Sequence, residues 1–438
     1  MKKIDISKII SLSLAISMLM LASCSEKLPP ETMPPETTAT SETEAPTESE
    51  ETTEETTTES SEESSETTVN PNHGPFSTRI ADEMPLEKYG QLSLDGLNIV
   101  SESGEIVQLR GMSTYGMTGL INEAFVQTLA EDWCCDVIRF AMYVARANGG
   151  CYVDDPDTNF NNMCNYIDMC IDQGVYVIVD WHILEYGDPN QYKDEAIDFF
   201  TRISAIYGDC PNIIYEICNE PNGMRYDDPS APVDWECIRE YAEEVIPAIR
   251  SNDPDNLIIC GTPTWSSDVD IVSLDPLDEE NVLYTFHFYA GSNGQDYRDK
   301  VITALDNGLP IFVSEWGTSL NSGGGGVFPE ESRLWTDFMA ENNLSWCNWS
   351  IGGSNPESSN ALRYNSRALT PSERGLGHWP DEFISQSGLF VRSVLLGIEY
   401  VPETDGDTDT DSQTDEPADP ETGESAETVE DTEATETE

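Results

Sequence analysis

Eight short runs of β-branched and aromatic residues, separated by stretches of helical periodicity, constrain the fold of this chain more than any other feature. The runs are VQLRGMS (107–113), DVIRFAM (136–142), VYVIVDWH (175–182), NIIYEICNE (212–220), LIICGT (257–262), VLYTFHFY (282–289), IFVSEWG (311–317) and LSWCNWS (344–350). Most are continuously apolar, as strands covered on both faces are. Between them, segments 125–133, 159–174, 192–208 and 235–251 carry apolar residues at three and four spacing, the mark of helices with one buried face. Eight such units over about 300 residues predict an α/β fold of the (β/α)8 TIM barrel type. A doubly wound parallel sheet is the structural alternative. Ahead of the first unit, LSLDGLNIVSESGEIVQL (92–109) alternates around a Ser-Gly turn and predicts a short N-terminal β-hairpin closing the barrel bottom.

The unit pattern occupies residues 75–401, and composition changes on either side. Lys2, Lys3 and Lys8 precede an apolar stretch from Ile9 to Leu21 that ends in LASC; it is short for a membrane span, so residues 1–24 read as a signal peptide. The LASC ending resembles the lipobox of bacterial lipoproteins, which implies lipidation of Cys24, a membrane tether, and an exported protein at the cell surface or outside the cell. Residues 25–74 are Thr, Glu, Ser and Pro with almost nothing large and apolar, so they cannot bury enough surface to offset the entropy of ordering and are expected to form a disordered linker. Residues 402–438 have the same character and are expected to form a disordered acidic tail.

The formal net charge is -62, of which the two ends supply only part. So acidic a chain is a poor partner for nucleic acid or anionic membrane surfaces and stays dispersed, and a monomer is expected. Ten cysteines remain besides Cys24, none in a close CxxC pair. No metal site or cofactor is therefore expected, and the cysteines read mostly as buried free thiols.

Nearly every run ends in a group able to do chemistry: Ser113, Arg139, His182, Asn219 with Glu220, Trp265, His287 with Tyr289, Glu315 and Trp349. In a barrel these ends converge on one face. Within IYEICNEPNG, strand alternation puts Glu216, Cys218 and Glu220 on one face, with Glu220 at the rim and Glu216 two layers deeper, where it needs a partner of its own. Glu315 ends the seventh strand as Glu220 ends the fourth, across the mouth. Two carboxyl groups about 5 Å apart can cleave a glycosidic bond with retention, one as nucleophile and the other as acid and then base.

LRGMSTYG, VIRFAMY, VDWHIL, IYEICNEPNG, YTFHFYAG, FVSEWG and WCNWS, in this order over residues 85–398, resemble glycoside hydrolase family 5, most of all its bacterial endo-β-1,4-glucanase (cellulase) branch. The resemblance implies a β-glucan polysaccharide as substrate, Glu220 as acid/base and Glu315 as nucleophile. It implies that Arg139 holds the nucleophile ionised, that Tyr289 donates a hydrogen bond to it, and that Asn219 contacts the sugar 2-hydroxyl. His182 and His287 match the family's site histidines, Trp349 its stacking platform, and Tyr143 and Trp265 other substrate contacts. The charge of Glu315 is expected to raise the pKa of Glu220. A β-mannanase or mixed-linkage glucanase of the same fold, or a catalytically dead glycan-binding surface protein, are the alternatives. This chain departs from close relatives at Tyr115, where they have a histidine, in GMTGLINEAF, which lacks their tryptophan, and at Gly352, Gly353 and Ser354, where they carry an Asp-Lys pair. All three changes fall where subsites for the non-reducing side would lie, so the resemblance leaves glucan preference and subsite number open.

Overall fold

The computed structural model describes residues 84–117, 121–352, 357–363 and 378–402. The expected signal peptide with Cys24, the linker, and the tail beyond 402 lie outside the described residues, as do 118–120 of GMTGLINEAF and both Gly353 and Ser354.

Eight parallel strands close into a barrel in chain order: β3 (Arg110–Thr114), β4 (Val137–Tyr143), β5 (Tyr176–His182), β6 (Ile213–Glu216), β7 (Leu257–Cys260), β8 (Val282–Tyr289), β9 (Ile311–Gly317) and β10 (Ser345–Ile351). Because β10 pairs with both β9 and β3, the eight-stranded sheet closes on itself without an edge, and the doubly wound alternative is excluded. β8 and β9 coincide with their predicted runs residue for residue, whereas β6 stops four residues early.

Crossover helices include α2 (Glu123–Gln127), α3 (Pro156–Gln173), α4 (Lys193–Tyr207), α5 (Trp235–Arg250), α7 (Gln295–Asp306) and α8 (Pro329–Glu341), with α1 (Pro85–Tyr89) ahead of the barrel, the single turn α6 (Val269–Val272) after β7, and α9 (Gln386–Leu396) after the last strand. Local chemistry sets their ends. Asp155 caps α3 by accepting from the Thr158 amide, Pro156 occupies its first turn, and Gly174 ends it at φ 66°, an arrangement that satisfies end groups the helix cannot bond itself. The predicted helix over 125–133 is α-helical only to Gln127; Thr128–Asp132 widens into a π-turn. The Thr128 hydroxyl donates to the Ala124 carbonyl at 2.7 Å, a back-bond that competes with the helix ladder.

The hairpin forms, but around a different turn. β1 (Ser93–Asp95) pairs with β2 (Asn98–Val100) across Gly96, whose φ of 59° suits a glycine in a tight hairpin turn. The expected Ser103-Gly104 turn makes only a single bridge, Val100 to Ile106. Leu92 and Ile99 pack with Leu109, Val137, Tyr176, Ile178, Ile214, Leu257, Ile259, Leu283, Phe312 and Cys347, so the hairpin plugs the lower barrel interior. One strand step higher, the interior changes to Arg139, Asp180, Glu216, Thr285 and Ser314, all fully buried.

Candidate active site

The ten site residues singled out in the sequence meet at the C-terminal mouth. Tyr143, His182, Glu220, Trp265, His287, Tyr289, Glu315 and Trp349 line a cleft of about 600 Å³. Arg139 and Asn219 are fully buried, and Arg139 reaches the cleft through its bond to Glu315.

Glu315 reaches the cleft through a bulge. From Thr285 to His287 β8 advances two residues, while its partner β9 advances three, from Phe312 to Glu315. On the other side β10 registers the same extra residue, since Trp346 pairs with Val313 and Asn348 with Trp316. An unbroken pleat would put Ser314 inside and Glu315 outside. The bulge re-aims the chain so that both face inward.

Glu220 arrives by a different irregularity. Past Glu216 the strand pleat is lost, and Cys218 lies in the outer core beside Cys260 instead of sharing a face with Glu216 and Glu220 as alternation predicts. The close approach of β7 is the cause: a Cβ on Gly261 would lie 2.4 Å from the Cys218 carbonyl oxygen. The Glu220 amide donates to the Ile183 carbonyl at 3.2 Å, and Asn219 Nδ2 donates to the same oxygen at 3.0 Å. Both residues are thereby turned to the mouth.

Trp265 does not end a strand, as the sequence suggested. It stands five residues beyond Cys260 in a turn where Thr264, Trp265 and Ser266 all have φ between 53° and 59°. That left-handed run is unfavourable for side chains with a Cβ and is stapled in place: the Trp265 amide donates to the Pro221 carbonyl at 3.1 Å, and Ser266 Oγ donates to the Asn219 carbonyl at 2.6 Å. The indole is left half-exposed on the cleft rim.

One guanidinium organises the site. Arg139 donates through Nε and Nη2 to Glu216 at 2.6 and 3.0 Å, through Nη2 to Asn219 Oδ1 at 2.6 Å, and through Nη1 to Glu315 Oε2 at 3.2 Å; Asp180 Oδ2 is 2.9 Å from Nη2. Burial alone would lower its pKa, but the carboxylates of Asp180, Glu216 and Glu315 hold it charged. Tyr289 donates its hydroxyl to Glu315 Oε1 at 2.6 Å. Gly317 makes room for this, since a Cβ there would lie 2.4 Å from the Tyr289 ring.

Four acids share this pocket with one arginine, so not all can ionise together. Burial pushes Glu220 up to about 8, against the pull of Arg139 and with Asp180 and Glu216 adding to the rise. Desolvation, rather than the expected charge of Glu315, is thus the main cause. Burial also raises Glu315 and takes Asp180 to about 7. Glu315 accepts from a phenol and a guanidinium, donors that favour its ionised form. Among the described residues Glu220 meets neither a phenol nor a guanidinium: its neighbour is His287 Nδ1 at 2.9 Å, on an imidazole that burial lowers to about 4 and so keeps uncharged. The shared proton therefore rests on Glu220.

The opposite wall is aromatic. His182 lies parallel to Trp349, their rings 5.3 Å apart, and Tyr143 meets it edge-on at 4.3 Å. Tyr115 packs against Trp349 at 5.6 Å, and Arg146 covers the Tyr143 ring at 4.1 Å. Asp180 Oδ2 is 2.7 Å from His182 Nδ1, which fixes the ring. Asp180, Ser314 and Arg146 were missed in the sequence. Asp180 had a signal, an acid two residues before His182 in an apolar run; Ser314 and Arg146 had none beyond adjacency.

Single oxygen or nitrogen atoms of Glu220, His287 and Glu315 lie within 4.8 Å of one another. A cation held there by one His287 ring nitrogen would have to displace the hydrogen bond on that nitrogen, to Glu220 or to Ser314. The arrangement suits a pair of carboxyl groups of unequal acidity, one protonated and one ionised, facing each other across a groove.

Residues 100–355 match the model of a family described as cellulase (glycosyl hydrolase family 5). Endoglucanase A of Evansella cellulosilytica is 46% identical over 306 residues, 69% of this chain and 59% of its own length. An endoglucanase of Clostridium saccharobutylicum is 41% identical over 323 residues, 73% of this chain and 68% of its own. The chain thus spans under two thirds of the first of these relatives. Among solved structures, the catalytic domain of a Thermobifida fusca endoglucanase is 35% identical with a TM-score of 0.64, covering 72% of this chain and 99% of that one. The catalytic domain of alkaline cellulase K is 34% identical with a TM-score of 0.67, covering 73% and 97%.

Proposed function

The chain belongs to glycosyl hydrolase family 5, and from that membership and the geometry of its cleft we propose that it is an endo-acting glucanase, hydrolysing internal β-1,4-glucosidic bonds with retention at the anomeric carbon. Glu315 attacks the anomeric carbon while Glu220 gives its proton to the departing oxygen. Glu220, now a carboxylate, then draws a proton from water as the water releases the sugar from Glu315. The observation that carries this reading is the spacing of the two carboxyl groups, whose oxygens approach within 4.8 Å, too close for a water to work between them in an inverting reaction and close to the separation of about 5–5.5 Å that suits a covalent intermediate.

The surroundings support the division of roles. Tyr289 and Arg139 hold Glu315 ionised and aimed, and burial keeps Glu220 protonated until about pH 8. Asn219 has one amide hydrogen committed to Ile183, so its second remains for the sugar 2-hydroxyl. Trp349, Trp265 and Tyr143 offer flat apolar contact to pyranose faces.

Incubating the full chain with cellopentaose and with mannopentaose, and following fresh products by NMR, tests this directly. Initial β-anomer from cellopentaose is the expected result. Initial α-anomer would overturn the paired-carboxylate mechanism, and faster cleavage of mannopentaose would overturn the glucan assignment. Roles separate on an aryl β-cellobioside with a good leaving group, which needs no acid: Glu220→Gln should retain bond cleavage there while losing it on cellopentaose, and Glu315→Gln should lose both.

We further propose that the chain is exported and tethered by a lipid on Cys24, with the Thr- and Glu-rich residues 25–74 as spacer. The basic start, the apolar stretch and LASC support this. In a bacterial host, Cys24→Ala should move the enzyme from the membrane fraction to the soluble fraction; unchanged membrane association would refute the tether.

A further inference from the structure

The hydroxyl of Ser314 lies among three polar neighbours and has one proton to give. Glu216 Oε1 is 2.8 Å away, His287 Nε2 is 2.9 Å away, and Thr285 Oγ1 is in close contact. All four residues are buried, Ser314, Thr285 and Glu216 completely, so water supplies no alternative partners and the donor and acceptor roles must close among themselves.

Glu216 decides the first role. It is forked by Arg139 through two nitrogens, the geometry of an ionised carboxylate that only accepts. Ser314 therefore donates to Glu216, and its oxygen is left to accept from Thr285 and from His287. His287 must then carry its proton on Nε2, because a bare nitrogen facing that oxygen would set lone pair against lone pair. In a neutral imidazole the other nitrogen, Nδ1, becomes an acceptor. Among the described residues, the group within hydrogen-bond reach of it is Glu220 Oε1, 2.9 Å away. An acceptor facing a carboxylate repels it, and an acceptor facing a carboxylic acid receives its O–H.

We infer that Ser314 is a positioning residue that sets the tautomer of His287, and through it holds the proton on Glu220 between turnovers. The chain runs from Glu220 O–H to His287 Nδ1, from His287 Nε2–H to Ser314, and from Ser314 O–H to Glu216, which Arg139 keeps ionised. It rests on the proposed acid/base role of Glu220. After Glu220 has given up its proton, the same bare Nδ1 faces its new carboxylate and raises its basicity for the step that activates water.

Removing the hydroxyl frees the histidine to reverse. In Ser314→Ala the Nε2 proton has no acceptor, so the ring is expected to place its proton on Nδ1 and donate to the Glu220 carboxylate, which favours ionisation. The other charged and titratable groups facing the pair stay as they are: Arg139 from β4, Asp180 and His182 from β5, Glu216 beneath, Tyr289 from β8 and Glu315 from β9.

The test uses the full chain labelled with 15N-histidine. The expected spectrum of the unsubstituted protein at neutral pH has His287, assigned by its loss in His287→Gln, with Nε2 protonated and Nδ1 bare. A protonated Nδ1 would overturn the inference whatever the activity, and does not depend on any variant folding. In activity, Ser314→Ala should move the alkaline limb of kcat/KM on cellopentaose down by about one pH unit, and Ser314→Thr, which keeps the hydroxyl, should restore it. Thr285→Val should leave the limb in place, since Ser314 still accepts from His287. A Ser314→Ala variant that is slower at every pH with an unmoved limb would reduce Ser314 to a packing role. The tautomer is read without turnover, so absence of glucan hydrolysis would sink the proposed function and leave this result standing or falling on its own.

Discussion

The lower and upper halves of the barrel interior are built by the same eight strands and yet obey different rules. Below, Val137, Ile178, Ile214, Leu283 and Phe312 fill the interior with the hairpin residues Leu92 and Ile99; each contact is replaceable by another of similar volume. Two residues further along the same strands, Arg139, Asp180, Glu216, Thr285 and Ser314 occupy the next layer, and there each atom has a required role as donor, acceptor or charge. The pleat supplies both layers with the same geometry. Chemistry separates the layer that holds the barrel shut from the one above it, and breaks in the pleat beyond that second layer aim the two carboxyl groups.

Substitutions that break this division should differ in kind as well as size. Glu315→Gln, in the upper half, should lower kcat by about 10⁴-fold or more with the melting temperature nearly unchanged, and substrate binding, measured by calorimetry with cellotetraose, should persist. Arg139→Met crosses the two categories, because it strands Asp180 and Glu216 as buried charges: a loss of about 3–5 kcal/mol in urea unfolding is expected, together with most of the activity. Ile178→Ala, in the lower half, should cost about 2–5 kcal/mol of stability, yet kcat of the protein that remains folded should stay within about twofold, since uniform binding and chemistry are untouched. A large drop in kcat for Ile178→Ala would show that the two layers are mechanically coupled.

The smallest effect sharpens the comparison by pH. Burial lowers His182 to about 3 and His287 to about 4, so the unfolded chain binds protons below pH 6.5 that the folded one refuses; stability contributed by these rings is lost as pH falls from 6.5 towards 3. Burial raises Glu220 to about 8 and Asp180 to about 7, so the folded chain keeps protons that the unfolded one releases, and stability is lost as pH rises from about 4.5 to 8. Denaturation between pH 3.5 and 8.5 should therefore reveal a maximum between about pH 4.5 and 6.5, each group contributing a slope of at most about 1.4 kcal/mol per pH unit. His182→Gln should flatten the acid side. Ile178→Ala should shift the whole curve without changing its shape.

How much of this was legible in the chain varies by element. β8 and β9 could be read to the residue because strands buried on both faces carry dense β-branched and aromatic runs, interrupted here only by the polar groups Thr285, His287, Ser314 and Glu315. The hairpin turn was misread because two Gly-containing turns, Asp95-Gly96 and Ser103-Gly104, stand close together, and only pairing decides between them. Cys218 was assigned to the wrong face, and Glu315 would have been by the same rule, because alternation assumes an unbroken pleat. Trp265 could not be placed from a strand end it does not occupy.

The sequence by itself determined the number and order of the βα units, the apolar plug, and which residue types would gather at the mouth, because hydrophobic period and strand order are local properties of a chain. Only the tertiary structure decided where those residues point and in what protonation state they wait. The bulge in β9 exists in its pairing with β8 and β10, the twist after Glu216 in the close approach of Gly261, and the proton on Glu220 in a chain of hydrogen bonds drawn from three strands, all of them contacts between segments far apart in the chain.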